Sequence, residues 1–160
     1  MIRSDATGAT DAARCVGRDG ELGQLRACLA RARQGRGTFA LVRGHPGIGK
    51  SALLLEARRA LRQEGALVVQ GRCRPRAPAL RPVLELAQEL LAQLCQLGAA
   101  DGLLRHASSV VEVLARRSEP AASAHQPADR RIDRFDDLAR LLREASAVRP
   151  LALLLHDLDL

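Results

Sequence analysis

Three short and nearly unbroken apolar runs stand out along the chain. They are Thr38 to Val42 (TFALV), Ala66 to Gln70 (ALVVQ) and Leu151 to Leu155 (LALLL). Apolar runs of this length without polar alternation are typical of strands that are buried on both faces of a parallel sheet. We therefore predict three strands, and a glycine-rich turn follows the first of them.

Between these runs, apolar residues recur every three or four positions, which predicts amphipathic helices. The first three predicted helices run from about Asp19 to Gln34, from Lys50 to Glu64 and from Leu80 to Leu97. A fourth helix begins at Asp101 and ends before a flexible connector, which spans Ser118 to Asp129. The fifth helix runs from Ile132 to Val148. In the last helix the pattern places Ile132, Phe135, Leu138, Leu142 and Ala145 inward.

This alternation of strands and helices indicates an α/β protein with a parallel sheet. Because helices outnumber strands, we expect a helical insertion between the second and third strands. Residues 1–14 are small and polar and are predicted to be disordered, which leaves one domain over residues 15–160.

The turn after the first run reads Gly-His-Pro-Gly-Ile-Gly-Lys-Ser and matches the phosphate-loop pattern G-x-x-x-x-G-K-[ST] in full. Its glycines allow the backbone to curl around phosphate oxygens, and the following helix turns its N-terminal dipole toward the anion. Lys50 is expected to reach the β- and γ-phosphates of ATP, and the Ser51 hydroxyl to bind Mg²⁺. The candidate ATP-binding residues of the loop are Gly44, His45, Pro46, Gly47, Ile48, Gly49, Lys50 and Ser51.

The third run is a candidate for the second acidic strand of a nucleotide-hydrolysing site, but its end is irregular. His156 directly follows the run, and Asp157 comes second. Mg²⁺ prefers oxygen ligands, so we assign Asp157 to the outer shell of the metal. The candidate catalytic residues are Lys50 and Asp157. The catalytic base stays unassigned, and Asp159 is a weak candidate for it. The sequence therefore favours ATP binding over hydrolysis.

Charge and composition leave other functions open. The formal net charge is +7, and Lys50 is the single lysine beside 24 arginines (25 Lys+Arg in all). The arginines are scattered over predicted helices, which favours solvated surface cations, although a non-catalytic arginine-rich module that binds nucleic acid or a partner remains an alternative. Another P-loop NTPase or a small-molecule kinase is the second alternative. A GTPase is disfavoured, because a guanine reader of the N/T-K-x-D type needs another lysine.

Cysteine spacing and the lack of long apolar runs bear on metal binding and on cellular location. The four cysteines have no C-x-x-C spacing, so a zinc site is not expected. The N-terminus lacks the apolar region of a signal peptide, and no apolar run approaches the length of a membrane span. We therefore expect a cytoplasmic protein.

The chain resembles the N-terminal ATPase module of the signal-transduction ATPases with numerous domains (STAND), which is grouped with origin-recognition-type AAA ATPases and occurs in multidomain bacterial signalling proteins and LuxR-type transcriptional regulators. Three segments are similar to that module. They are Val16 to Leu22 (VGRDGEL), Phe39 to Leu55 (FALVRGHPGIGKSALLL) and Arg149 to Leu158 (RPLALLLHDL).

The resemblance implies a three-layer αβα P-loop fold that uses ATP and Mg²⁺ and gates an attached output domain. It also implies that Val16, Gly17 and Arg18 lie near the adenine. The family usually has an acidic residue where this chain has His156. In the family's strand order, 5-1-4-3-2, both neighbours of the first strand come later in sequence, so Thr38 to Val42 is expected to have unpaired edges. We thus expect a fold truncated after the second acidic strand, and a fragment that is a weak or inactive ATPase alone.

Overall fold

The computed structural model describes residues 17–118 and 129–158. The elements in chain order are α1 (Asp19–Arg33), α2 (Lys50–Gln63), β1 (Leu67–Arg72), α3 (Arg81–Gln96), α4 (Asp101–Arg117), α5 (Asp129–Val148) and β2 (Leu151–His156). All five predicted helices are therefore confirmed, and so are the second and third predicted strands. The predicted disordered N-terminus and most of the predicted connector lie outside the described residues.

The two strands form a parallel sheet in which Leu67 pairs with Leu151 and Arg72 pairs with His156. The three helices α3, α4 and α5 lie between them in sequence, which confirms the helical insertion. Parallel strands need a crossover connection because the chain must return to the same end of the sheet.

Helices cover both faces of β1, as the alternation of its side chains shows. Leu67 and Val69 belong to a core with α3, α4 and α5, whereas Val68 belongs to a second core with Leu29 of α1 and Leu61 of α2. Successive strand residues point to opposite faces. The described residues therefore form three layers, with α1 and α2 on one side of the sheet and the insertion on the other.

The first predicted strand is wrong. Thr38 to Val42 belongs to no strand, and Phe39 and Leu41 are 84% and 41% exposed. A strand forms only where a neighbour satisfies its backbone N–H and C=O groups. Within the described residues β1 and β2 pair with each other alone, so this segment has the unpaired edges expected of it and lacks the predicted burial on both faces.

The predicted inward face of α5 is wrong at Phe135, which is 60% exposed. Ala145 is fully buried, as predicted, and so is Leu141, which the pattern did not place inward, while Leu138 packs against the same cluster as predicted. This row follows the i, i+3, i+7 spacing of a helix face. Phe135 lies one turn before Leu138, beyond the end of the buried cluster.

None of the described helices has a stretch long and apolar enough to cross a membrane.

Candidate functional site

The glycine-rich loop lies directly before α2, which begins at Lys50. Gly47 and Gly49 have φ angles of +81° and +92°, in the left-handed region that favours glycine. A Cβ on Gly44 would lie 3.0 Å from the Ile48 side chain, so the loop also closes tightly at its start. The glycine spacing thus produces a curled backbone at the N-terminus of a helix.

The Lys50 side chain folds back over the loop. Its Nζ donates to the carbonyl oxygen of Gly44 at 2.8 Å and to that of His45 at 3.0 Å. An ammonium group has three N–H donors. These two contacts hold the positive charge at the mouth of the loop and leave one donor for an anion.

Several backbone N–H groups of the loop have no protein acceptor. Within the described part of the chain, no carbonyl or side chain accepts a hydrogen bond from the N–H groups of Gly47, Gly49, Lys50 or Ser51. The first turn of α2 carries no acidic residue. Free N–H groups, the positive end of the helix dipole and an ammonium group together make an anion site.

Arg18, just before α1, also contacts the loop. Its Nη2 donates to the Ile48 carbonyl oxygen at 2.7 Å, and its Nη1 lies 3.3 Å from the Glu21 carboxylate. The fold thus brings Arg18 to the glycine-rich loop across 30 positions of sequence. Gly17 precedes Arg18 directly, while Val16 lies outside the described residues.

The family model of the AAA ATPase domain matches residues 14–160, nearly the whole chain. The chain belongs to the AAA ATPase domain family. The αβα layering and the phosphate loop before α2 are those of such a P-loop ATPase module. No curated protein and no solved structure matches the chain.

Asp157, the candidate carboxylate after β2, makes its ion pair with Arg72 of β1 and not with the glycine-rich loop. Asp157 follows β2 with a φ of +56°, and its Oδ2 lies 3.3 Å from Nε of Arg72. The described residues include no hydrogen bond or ion pair between Asp157 and the loop, and no cluster of three potential metal ligands. Asp159 lies outside the described residues. The structure therefore presents Asp157 in an ion pair, while the Ser51 hydroxyl stands at the exposed start of α2.

His156 ends β2 with its Nε2 buried and without a hydrogen-bond partner among the described residues. Burial lowers the pKa of His156 below its ordinary value, and the charge of Arg72 lowers it further, while Asp157 raises it in part. The lowered pKa favours the neutral form of the imidazole. An imidazole carries no negative charge in its neutral or protonated form, so His156 supplies no carboxylate at the end of β2.

One group of residues that positions α2 was not predicted from the sequence. Glu89 of α3 accepts hydrogen bonds from Arg58 at 2.5 Å and Arg62 at 2.9 Å, both on α2, and from the backbone N–H of Gln70 at 2.7 Å. This carboxylate joins the phosphate-loop helix to α3 and to β1. The available signal was the i, i+4 spacing of Arg58 and Arg62, which puts two cations on one helix face.

Proposed function

We propose that the chain binds Mg-ATP through Gly44–Ser51 and serves as the nucleotide-binding module of a nucleotide-gated signalling ATPase of the STAND type. One observation carries the proposal: the tethered Lys50 ammonium and the free N–H groups of the loop converge at the start of α2. Triphosphate oxygens are the ligands that such a cradle accommodates. The contact of Arg18, from the VGR motif of the sequence, with the loop supports the signalling subfamily within the AAA ATPases.

Each residue has a distinct role in this proposal. The backbone N–H groups from Gly47 to Ser51 bind phosphate oxygens, Lys50 bridges the β- and γ-phosphates, and the Ser51 hydroxyl is a ligand of Mg²⁺. The bound Mg²⁺ would neutralise charge on the β- and γ-phosphate oxygens. Val16, Gly17 and Arg18 complete the nucleotide side of the site.

Binding without rapid hydrolysis is the activity we propose for the isolated chain. Asp157 would act through a water of the metal, and its ion pair with Arg72 competes with that role. The neutral His156 offers no carboxylate to polarise an attacking water. The chain thus holds nucleotide better than it turns it over.

A thermal-unfolding titration of the 160-residue chain tests the proposal. Mg-ATP at 100 times its dissociation constant should stabilise the protein by roughly 2.7 kcal/mol, whereas Mg-GTP should have little effect. Lys50→Ala should abolish the shift, because it removes the ammonium from the cradle. Arg59→Ala is the matched control, since that cation lies on the same helix in an exposed ion pair with Glu56 and should leave the shift intact. Equal stabilisation of the wild type and Lys50→Ala by Mg-ATP would refute the site.

The arginine-rich interaction module remains the alternative function, but the structure weakens its support. Many arginines of the described residues are paired with carboxylates, so their charge is partly neutralised. The paired arginines include Arg18, Arg26, Arg33, Arg58, Arg59, Arg62, Arg72, Arg81, Arg116 and Arg140. DNA binding that falls steeply with salt and ignores ATP would favour this alternative.

A further inference from the structure

The contact between Arg18 and the phosphate loop has a consequence for the direction of one loop amide. Arg18 donates to the carbonyl oxygen of Ile48 at 2.7 Å, and its side chain is only 24% exposed. Within the described residues no backbone N–H donates to this oxygen. The guanidinium is thus the group that holds the Ile48 carbonyl in place.

The geometry of the peptide bond transmits this restraint to Gly49. The described residues contain no cis peptide, and in a planar trans peptide the C=O and the following N–H point in opposite directions. The N–H of Gly49 therefore points away from Arg18. Gly49 has a φ of +92° and no Cβ, so little in its own backbone prevents this peptide from rotating.

We infer that Arg18 is a positioning residue of the phosphate loop, which holds the Ile48 carbonyl so that the Gly49 N–H faces the bound anion. The inference rests on the proposed function, because it assigns the anion to the same cradle. It differs from the role that the family resemblance implies for this segment, which is contact with the adenine. Arg18 acts instead on the phosphate side, through the orientation of a backbone amide.

The packing of α1 along α2 provides a matched comparison. At the C-terminal end of α2, Glu64 pairs with Arg26 from the middle of α1 at 2.5 Å and also contacts Arg33 at the end of α1. Because Arg18 meets the start of α2 and Arg26 meets its end, the two helices run in the same direction. Arg26→Ala removes a cation and an α1–α2 contact without touching the loop, so it separates loop positioning from helix packing.

Calorimetric titration with two ligands tests the inference on the full chain. The ligands are Mg-ATP and inorganic tripolyphosphate with Mg²⁺, which carries the phosphates but no adenine. Arg18→Ala should weaken both by the same factor of about ten, equivalent to about 1.4 kcal/mol. Arg18→Lys keeps the charge and one donor and should retain most of the affinity, and Arg26→Ala should change either affinity by less than about twofold.

The amide resonance of Gly49 gives a second readout that does not depend on affinity. In the wild type it should shift when tripolyphosphate binds, and in the free protein it should move in Arg18→Ala but not in Arg26→Ala. If Arg18→Ala does not fold, the inference is tested with the wild type, Arg18→Lys and Arg26→Ala. In that case a wild-type Gly49 resonance that ignores tripolyphosphate overturns the inference.

The outcomes separate this inference from the proposed function. A wild-type chain that binds neither ligand overturns the proposed function and the inference with it. If the wild type binds both ligands and Arg18→Ala binds them equally well, only the inference fails. Loss of ATP affinity with unchanged tripolyphosphate affinity would assign Arg18 to the adenine, and equal losses in Arg26→Ala and Arg18→Ala would reduce its role to helix packing.

Discussion

Replacing Gly71 by alanine should destabilise the protein, because β1 and α3 meet there at backbone distance. A Cβ at this position would lie 2.4 Å from the carbonyl oxygen of Pro82 and 3.3 Å from Cγ of Leu86. Real Cβ atoms essentially never approach closer than 3.0 Å, so the backbone of α3 must retreat by 3.0 − 2.4, or about 0.6 Å. A clash with backbone cannot be relieved by a rotamer change.

The magnitude follows from two opposing effects. Overpacking of a close contact costs about 1–3 kcal/mol, while the smaller conformational entropy of unfolded alanine returns about 0.5–1 kcal/mol. The difference between these ranges is about 0–2.5 kcal/mol, and because backbone rather than a side chain has to move, we expect a loss of about 1–2 kcal/mol in the free energy of unfolding. With a urea m-value of about 1.5 kcal/mol/M, the midpoint of a urea titration should fall by about 1 M at an unchanged m-value.

Gly102→Ala is the control for this experiment, because it makes the same chemical change without the clash. Gly102 lies in the first turn of α4, has no positive φ, and has open space around a built Cβ. Alanine there should be neutral or should stabilise by up to about 1 kcal/mol through helix propensity. A Gly71→Ala chain as stable as the wild type would show that β1 and α3 are not in backbone contact.

Two further predictions concern the polar residues around the sheet. Because the pKa of His156 is depressed in the folded protein, unfolding takes up a proton below about pH 6.5, so stability should fall as the pH drops through that value toward the folded pKa. His156→Asn should lack this part of the slope in urea titrations at pH 7.5, 6.5 and 5.5, and an identical slope would contradict the assignment. Glu89→Gln should cost about 1–2 kcal/mol, since it leaves Arg58 and Arg62 without their half-buried counter-ion. The exposed Glu112→Gln should change stability by less than about 0.5 kcal/mol in the same assay, and equal effects of the two variants would refute a special role for Glu89.

Local patterns carried the sequence predictions that the structure confirms. In α5, Leu138, Leu142 and Ala145 face the core as predicted, because the 3.6-residue period fixes which side chains share a face. The apolar run from Ala66 to Gln70 predicts a strand that is buried on both faces, and β1 has helices on both faces. An apolar run cannot say which partner covers it, and this explains the failure at Thr38 to Val42.

The interactions that escaped prediction are those between distant positions. Arg18 and Ile48 lie 30 residues apart, and Arg58 and Glu89 lie 31 apart. Nothing in either local pattern specifies the partner, because the pairing depends on how α1, α2 and α3 pack. The position of the curled, glycine-rich loop before α2 was predictable for the opposite reason, since Gly44 and Lys50 interact within six residues.

The curled loop is present although the segment before it belongs to no sheet, and the reason lies on its C-terminal side. Leu53, Ala57 and Leu61 anchor α2 by burial, and Glu89 ties the same helix to α3 and β1. Lys50 then draws the Gly44 carbonyl back toward the start of that helix. The conformation of the loop therefore depends on the contacts that hold α2 in place. It depends less on strand pairing of Thr38 to Val42, the segment that precedes the loop.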